Sequence, residues 1–269
     1  MLSPQWLFAK GIANVWGGRA IEVPYFNAQR PKSTADIVAL LDRHIDERSR
    51  AIYFNTPNNP TGMALSTWEV KAIGDYARSR NMTIVADNAY EAFDFSREDF
   101  PDPAAAEMFP ESTIGLYSFS KTFGWTGFRI GYAVMPASLA HAFRTLALHS
   151  IYCVSTASQI AALQGLKDFD ATIDRHGDWV RANLGLVRRD CRIPKSDCVG
   201  GFYTLLDLSD YPGGAMRFID AALDRGISLA PGSAFGLDCE ERLRLCHAVI
   251  EEERLGQALK YLNEIYESG

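Results

Sequence analysis

Three short apolar runs each end in groups able to do chemistry. Ala51 to Asn55 leads into a turn carrying Asn59, Thr83 to Asp87 ends on a carboxylate, and Thr113 to Ser118 leads into Ser120 and Lys121. Arg129 follows eight residues after the lysine, in a further apolar run from Phe128 to Val134. In parallel α/β sheets, ligands bind beyond the C-terminal ends of the strands. The sequence therefore sets an amide, a carboxylate, two hydroxyls, an amine and a guanidinium around one crevice. Singly, each has an ordinary use. A lysine in a Ser-Lys pair is commonly solvated, and an aspartate ending a strand commonly forms a turn or caps a helix. Asn-Pro-Thr-Gly is a plain turn sequence, and an arginine after Gly-Phe can pair with any surface carboxylate. Order and convergence mark the site.

The elements that must position these residues alternate as βαβ architecture requires. A strand is expected over Arg19 to Tyr25. A helix is expected after Ser33, with Ile37, Leu40, Leu41 and Ile45 on one side. Ser66-Thr67-Trp68-Glu69 has capping-box spacing and starts a helix reaching about Arg80. Strand then helix, repeated, predicts a mostly parallel sheet. Beyond Pro136 the chain reads as helical to about residue 190. A second α+β segment follows: a strand over Phe202 to Leu208, a helix over Gly214 to Arg225, short strands near Ile227 and Leu243, and a last helix from about Glu251 to Tyr266. The boundary falls between 150 and 190. The expected division is residues 1–165 as the large domain and 166–269 as a smaller α+β domain.

Composition narrows the function. Twenty-seven basic against thirty-three acidic residues leave a net charge of −6, no footprint for nucleic acid or an anionic membrane. No apolar run is long enough to span a bilayer. Five scattered cysteines, odd in number and without a C-x-x-C pair, argue against a disulfide framework or a zinc site and for the cytoplasm. His44, His141, His149, His176 and His247 have no metal-ligand spacing, so no metal is expected. Asp94, Glu98 and Asp99 read as a solvated acidic patch.

The segments Asn58-Asn59-Pro60-Thr61-Gly62, Asp87-Asn88-Ala89-Tyr90, Ser118-Phe119-Ser120-Lys121, Gly127-Phe128-Arg129, Pro231-Gly232-Ser233-Ala234-Phe235-Gly236 and Arg242-Leu243-Arg244-Leu245, in this order, resemble the pyridoxal-5′-phosphate (PLP) dependent fold-type I, class I/II aminotransferases. The resemblance implies an α/β fold. Its large PLP-binding domain has a mostly parallel sheet with helices on both faces, and a smaller C-terminal α+β domain is appended. It implies an amino group moved from an α-amino acid to a 2-oxo acid, with Lys121 holding PLP as a Schiff base and shuttling the proton. Asp87 is then the partner of the ring nitrogen, and Asn59 and Tyr90 are donors to the ring's phenolic oxygen. Ser118, Ser120 and Arg129 hold the phosphate, Arg244 and Asn59 face the substrate, and Trp6 stacks on the ring. The proton transfer requires a neutral Lys121 amine, so a depressed pKa is expected, set by the cationic ring system. For Tyr203, core packing is the expected role.

The resemblance also implies a homodimer, and a longer N-terminal portion supplying the sheet's first strands. The strand over Arg19 to Tyr25 is accordingly expected to lack its neighbour. The chain reads as a fragment, with weak PLP binding and little activity alone. Two other readings remain. The same constellation serves lyases, cyclases and oxidase- or hydroxylase-type enzymes of amino acids, and it also occurs in non-catalytic aminotransferase-like modules.

Overall fold

The computed structural model describes residues 1–96 and 105–269. Near the start, β1 (Leu2–Ser3) is followed by α1 (Leu7–Val15) and β2 (Val23–Pro24), and the two strands pair in parallel. The expected strand over 19–25 is thus shortened, and its expected missing neighbour is present. The amide of Val23 donates to the Met1 carbonyl at 2.8 Å, and those of Tyr25 and Phe26 donate to that of Ser3 at 2.9 and 3.0 Å. The paired segment is only two residues long.

Next come α2 (Thr34–Asp42), β3 (Ala51–Asn55), α3 (Thr67–Ser79) and β4 (Thr83–Asp87). After the short α4 (Ala105–Met108) follow β5 (Thr113–Ser118), the single-turn α5 (Phe119–Thr122) and β6 (Gly131–Val134). These four strands form one sheet in the order β3-β4-β5-β6, and the class is α/β as expected. β3, β4 and β5 run parallel, with Asn55 beside Asp87 and Asp87 beside Leu116. β6 is antiparallel to β5, with Ser118 opposite Gly131. Arg129 therefore reaches the site edge from just before the start of β6, beside the end of β5.

Helices α2 and α3 cover the sheet through Ile37, Leu41, Ile73 and Ala77, packed on Ile52, Phe54 and Ile84. Each such aliphatic or aromatic side chain contributes roughly 1.5–3 kcal/mol by leaving water. The capping box of α3 belongs to a larger network. Glu69, nearly fully buried, accepts from Ser66 N and Oγ (2.9 and 2.6 Å), from Tyr25 Oη (2.8 Å) and from Arg30 Nε (2.8 Å). Burial alone raises this carboxyl. The donors from Arg30 and Ser66 outweigh it and hold the group below its ordinary value of 4.5. A carboxyl lowered on folding contributes stability that is fully present above its unfolded value and lost as pH falls through the folded one. Glu69→Ala strands the buried Tyr25 hydroxyl and Arg30 and removes the cap. We expect a loss of about 3 kcal/mol, read as a lower urea midpoint at unchanged slope. An equal midpoint would show the network to be inert.

The chain continues through α6 (Ala137–Ser150), α7 (Thr156–Lys167) and the long α8 (Phe169–Asp190). A second sheet follows, built from β7 (Tyr203–Asp207), β8 (Ala230–Pro231) and β9 (Arg242–Cys246) in the antiparallel order β7-β9-β8. α9 (Gly214–Asp224) and α10 (Glu252–Ser268) pack on it through Phe218, Leu255, Leu259 and Leu262 around Leu206 and Leu243. The strand expected near Ile227 begins three residues later, at Ala230.

His247 is fully buried, and desolvation lowers it to about 4, so it is neutral at physiological pH. Asp94 accepts from Ser96 N at 3.0 Å, while Glu98 and Asp99 lie outside the described residues. All five cysteines are free. Among the described residues no helix is long and apolar enough to cross a membrane.

Candidate active site

The turn after β3 is built by Asn58 and its neighbours. Asn58 Oδ1 accepts from Thr61 N and Oγ1 (3.2 and 2.7 Å), and its Nδ2 donates to the Pro4 carbonyl at 3.1 Å. Gly62 closes the turn at φ 69°, where a Cβ would collide with Cys198 Sγ and the Tyr203 carbonyl, so only glycine fits. The Asn59 amide donates to Asn55 Oδ1 at 2.7 Å, which fixes Asn59 over the strand end.

Asp87 ends β4 with its side chain on the same face as Tyr53 and Asn55, two residues apart on the neighbouring strand. Tyr53 Oη donates to Asp87 Oδ2 at 2.9 Å, and the Ala89 amide donates to Oδ1 at 3.1 Å. Burial raises the Asp87 carboxyl, and these two donors only partly counter it. No cation among the described residues pairs with it.

Lys121 lies half-buried in α5, its Nζ 5.9 Å from the centroid of the Tyr90 ring. Desolvation first, then the Arg244 and Arg129 guanidiniums, lower its amine below 10.5, while Cys246 opposes them. The depression expected from a cationic ring is thus already supplied by the chain itself. Tyr90 is buried, and burial together with Tyr203 holds its phenol well above the ordinary value of 10.

Ser118 caps α5, its hydroxyl accepting from the Ser120 amide at 3.2 Å. Arg129 is exposed, left-handed at φ 51°, and donates from Nη1 to the Thr126 carbonyl at 2.7 Å. Arg244, from the second sheet, donates from Nη1 to Asn59 Oδ1 at 2.9 Å and so joins the two sheets. Trp6 precedes α1 half-buried, edge-on to Phe8 at 5.3 Å. The residues just before it are tied to the site, since the Gln5 amide donates to the Phe235 carbonyl at 2.9 Å.

The structure thus brings together Asn59, Asp87, Tyr90, Lys121 and Arg244. Ser118, Ser120 and Arg129 border them through the β5–β6 pair, and Trp6 stands at the rim. Sequence reasoning missed Tyr53, whose signal was its place two residues before Asn55. It also set Tyr203 in the core, whereas the ring lies against the guanidinium of Arg244 at 4.1 Å.

A buried carboxylate without a cation, a half-buried amine with lowered affinity for protons, and a guanidinium projecting from a second sheet define a PLP-type α/β site. The carboxylate suits a protonated ring nitrogen and the amine suits an aldehyde, so the residues fit that cofactor. Residues 1–262 match the family described as aminotransferase class I and II, and the chain belongs to it. It is 30% identical over 276 residues to the probable aspartate/prephenate aminotransferase of Aquifex aeolicus, covering 98% of this chain and 68% of that protein. It is 27% identical to aromatic-amino-acid aminotransferase 2 of Thermococcus litoralis, covering 93% and 64%. A Thermus thermophilus aspartate aminotransferase variant superposes with a TM-score of 0.88 at 26% identity, covering 98% of this chain and 72% of the other. The chain spans about two thirds of the length of these curated relatives. Class I/II aminotransferases of this fold use pyridoxal phosphate.

Proposed function

We propose that this chain carries the catalytic machinery of an aminotransferase that moves an amino group between an α-amino acid and a 2-oxo acid. The observation that carries the reading is the half-buried Lys121 amine beside the Tyr90 ring, its proton affinity lowered in part by Arg244, at the sheet edge where β4 ends on the buried Asp87 carboxyl. PLP, when bound, supplies an electron sink that acidifies the α-hydrogen of an attached amino acid. Lys121 binds the cofactor's aldehyde carbon and afterwards, as a neutral amine, carries the proton. Asp87 keeps a proton on the ring nitrogen by charge pairing. Asn59 and Tyr90 donate to the phenolic oxygen. Ser118, Ser120 and Arg129 hold the phosphate by hydroxyl and guanidinium donors. Trp6 covers a ring face. Arg244, with Asn59, takes the substrate carboxylate, its planar fork matching the planar anion.

Residues 1–165 form the cofactor-binding domain and 166–269 the smaller one. A homodimer in the cytoplasm is the proposed working form. Supporting it, α6 buries no residue and exposes Leu139, Phe143, Leu146 and Leu148.

The test is acceptor dependence. Purified chain with saturating PLP is expected to show a visible band that an amino acid bleaches and a 2-oxo acid restores. Bleaching with no recovery on any 2-oxo acid would replace transamination with another PLP reaction. No band at any PLP concentration would overturn the cofactor assignment for this chain.

A further inference from the structure

Arg244 is an unusual cation. No carboxylate among the described residues pairs with it, and its only hydrogen bond is to the neutral amide of Asn59. Its buried Nε finds no acceptor. What holds the group is two aromatic faces, the Tyr203 ring at 4.1 Å and the Phe235 ring at 4.6 Å from the guanidinium carbon. A carboxylate partner would neutralise the charge and occupy the donors. Aromatic faces attract the cation through their quadrupoles and occupy none of its in-plane donors, of which one is on Asn59. With two rings packed against the guanidinium, the approach left to an anion is through its remaining N–H donors, the in-plane direction that permits two parallel hydrogen bonds.

Tyr203 has a second contact. Its ring stands edge-on to that of Tyr90, with centroids 5.9 Å apart at 78°. Tyr90 in turn lies beside Lys121. One residue therefore touches both the guanidinium and the tyrosine next to the amine. The sequence places it there by register: Tyr203 pairs with Cys246 at one end of the β7–β9 ladder, two residues beyond Arg244 on β9.

We infer that Tyr203 is a positioning residue which, with Phe235, clamps the Arg244 guanidinium edge-on beside Tyr90 and Lys121, so that a substrate carboxylate is received in plane. This rests on the aminotransferase reading only for the identity of the carboxylate. The clamp itself is independent of cofactor.

The experiment exploits that independence. The PLP-free chain is labelled with phenylglyoxal, with and without acetate as the carboxylate probe, and modification of Arg244 is followed by peptide mass spectrometry. In the parent, acetate is expected to protect Arg244 and to leave the exposed Arg129 unprotected. Tyr203→Phe keeps the ring and should retain protection within about twofold. Tyr203→Met, an adaptable apolar replacement, should weaken it about tenfold, the scale of a desolvated cation–π contact. With PLP and substrates, the same Met variant should raise KM for both amino acid and 2-oxo acid while kcat stays within about threefold. A general packing role for Tyr203 would lower kcat and loosen the fold instead. Parent protein without acetate protection of Arg244 overturns the inference, as does a Phe variant that behaves like the Met variant. Failure of PLP to give a band, with protection intact, would sink the aminotransferase reading and leave the clamp standing.

Discussion

Lys121→Ala is expected to abolish turnover, by at least about 10⁴-fold, because one substitution removes both the nucleophile and the proton carrier. The fold should survive it. The buried side chains of this turn are Phe119, Thr122 and Phe123, and Lys121 itself is only half-buried. Circular dichroism and the urea midpoint of the variant should therefore match the parent. Borohydride treatment of the PLP-loaded parent should fix one cofactor on the peptide containing Lys121, and the variant should release all of it.

The pH dependence follows from what surrounds the amine. Desolvation, then Arg244 and Arg129, lowers Lys121 below 10.5. Reaction of the chain with added PLP should accordingly rise with pH through a midpoint below that value. Arg244→Gln removes one of the two guanidiniums and should move the midpoint upward. A midpoint at 10.5 in the parent would mean that the amine is solvated and that the site does not prepare it. Trapping at any other lysine would discard the assignment of Lys121 outright.

The sequence discloses most of this arrangement because the residues concerned end elements with strong signals. β3, β4 and β5 are short apolar runs bounded by turns, and α3 announces itself through Ser66 and Glu69. Their chemistry-bearing ends fall at one edge for the same reason, parallel direction. What stays hidden depends on contacts distant in sequence. The direction of β6 is one case, since the residues from 119 to 130 are long enough to permit either sense. Helix α1 is another, with exposed Leu7, Phe8, Ile12 and Val15 and an internal glycine that blur the period. Tyr203 is the clearest. A Phe-Tyr pair at the start of a strand gives two aromatic side chains on opposite faces. Only the pairing of β7 with β9, across about forty residues, decides which of them meets Arg244. The same holds for Arg30, whose partner Glu69 completes a capping box visible locally but whose burial is set by the loop after β2.

Asp87→Asn is expected to separate stability from catalysis. Burial raises the Asp87 carboxyl in the folded chain above its ordinary value of 3.8. A folded state that holds a proton more tightly than the unfolded one is favoured at low pH. That contribution is fully present below 3.8 and is lost as pH rises through the folded value. At neutral pH the PLP-free chain thus carries the penalty of burying an ionisable group that no cation among its described residues offsets. Asparagine removes that penalty without stranding its neighbours. The amide oxygen can accept from the Ala89 amide, and the Tyr53 hydroxyl can turn to accept from Nδ2. The denaturation midpoint of the PLP-free variant at pH 7 should therefore rise, and its stability should no longer fall across the window that opens upward from 3.8. Activity should move the other way. Loss of a buried charge partner costs about 3–5 kcal/mol, which corresponds to a fall in kcat of roughly 10²- to 10⁴-fold, while the PLP band, fixed through Lys121, should remain. A variant less stable than the parent at pH 7 would show that the carboxylate is a structural anchor. Full activity in the variant would show that protonation of the ring nitrogen is supplied from elsewhere.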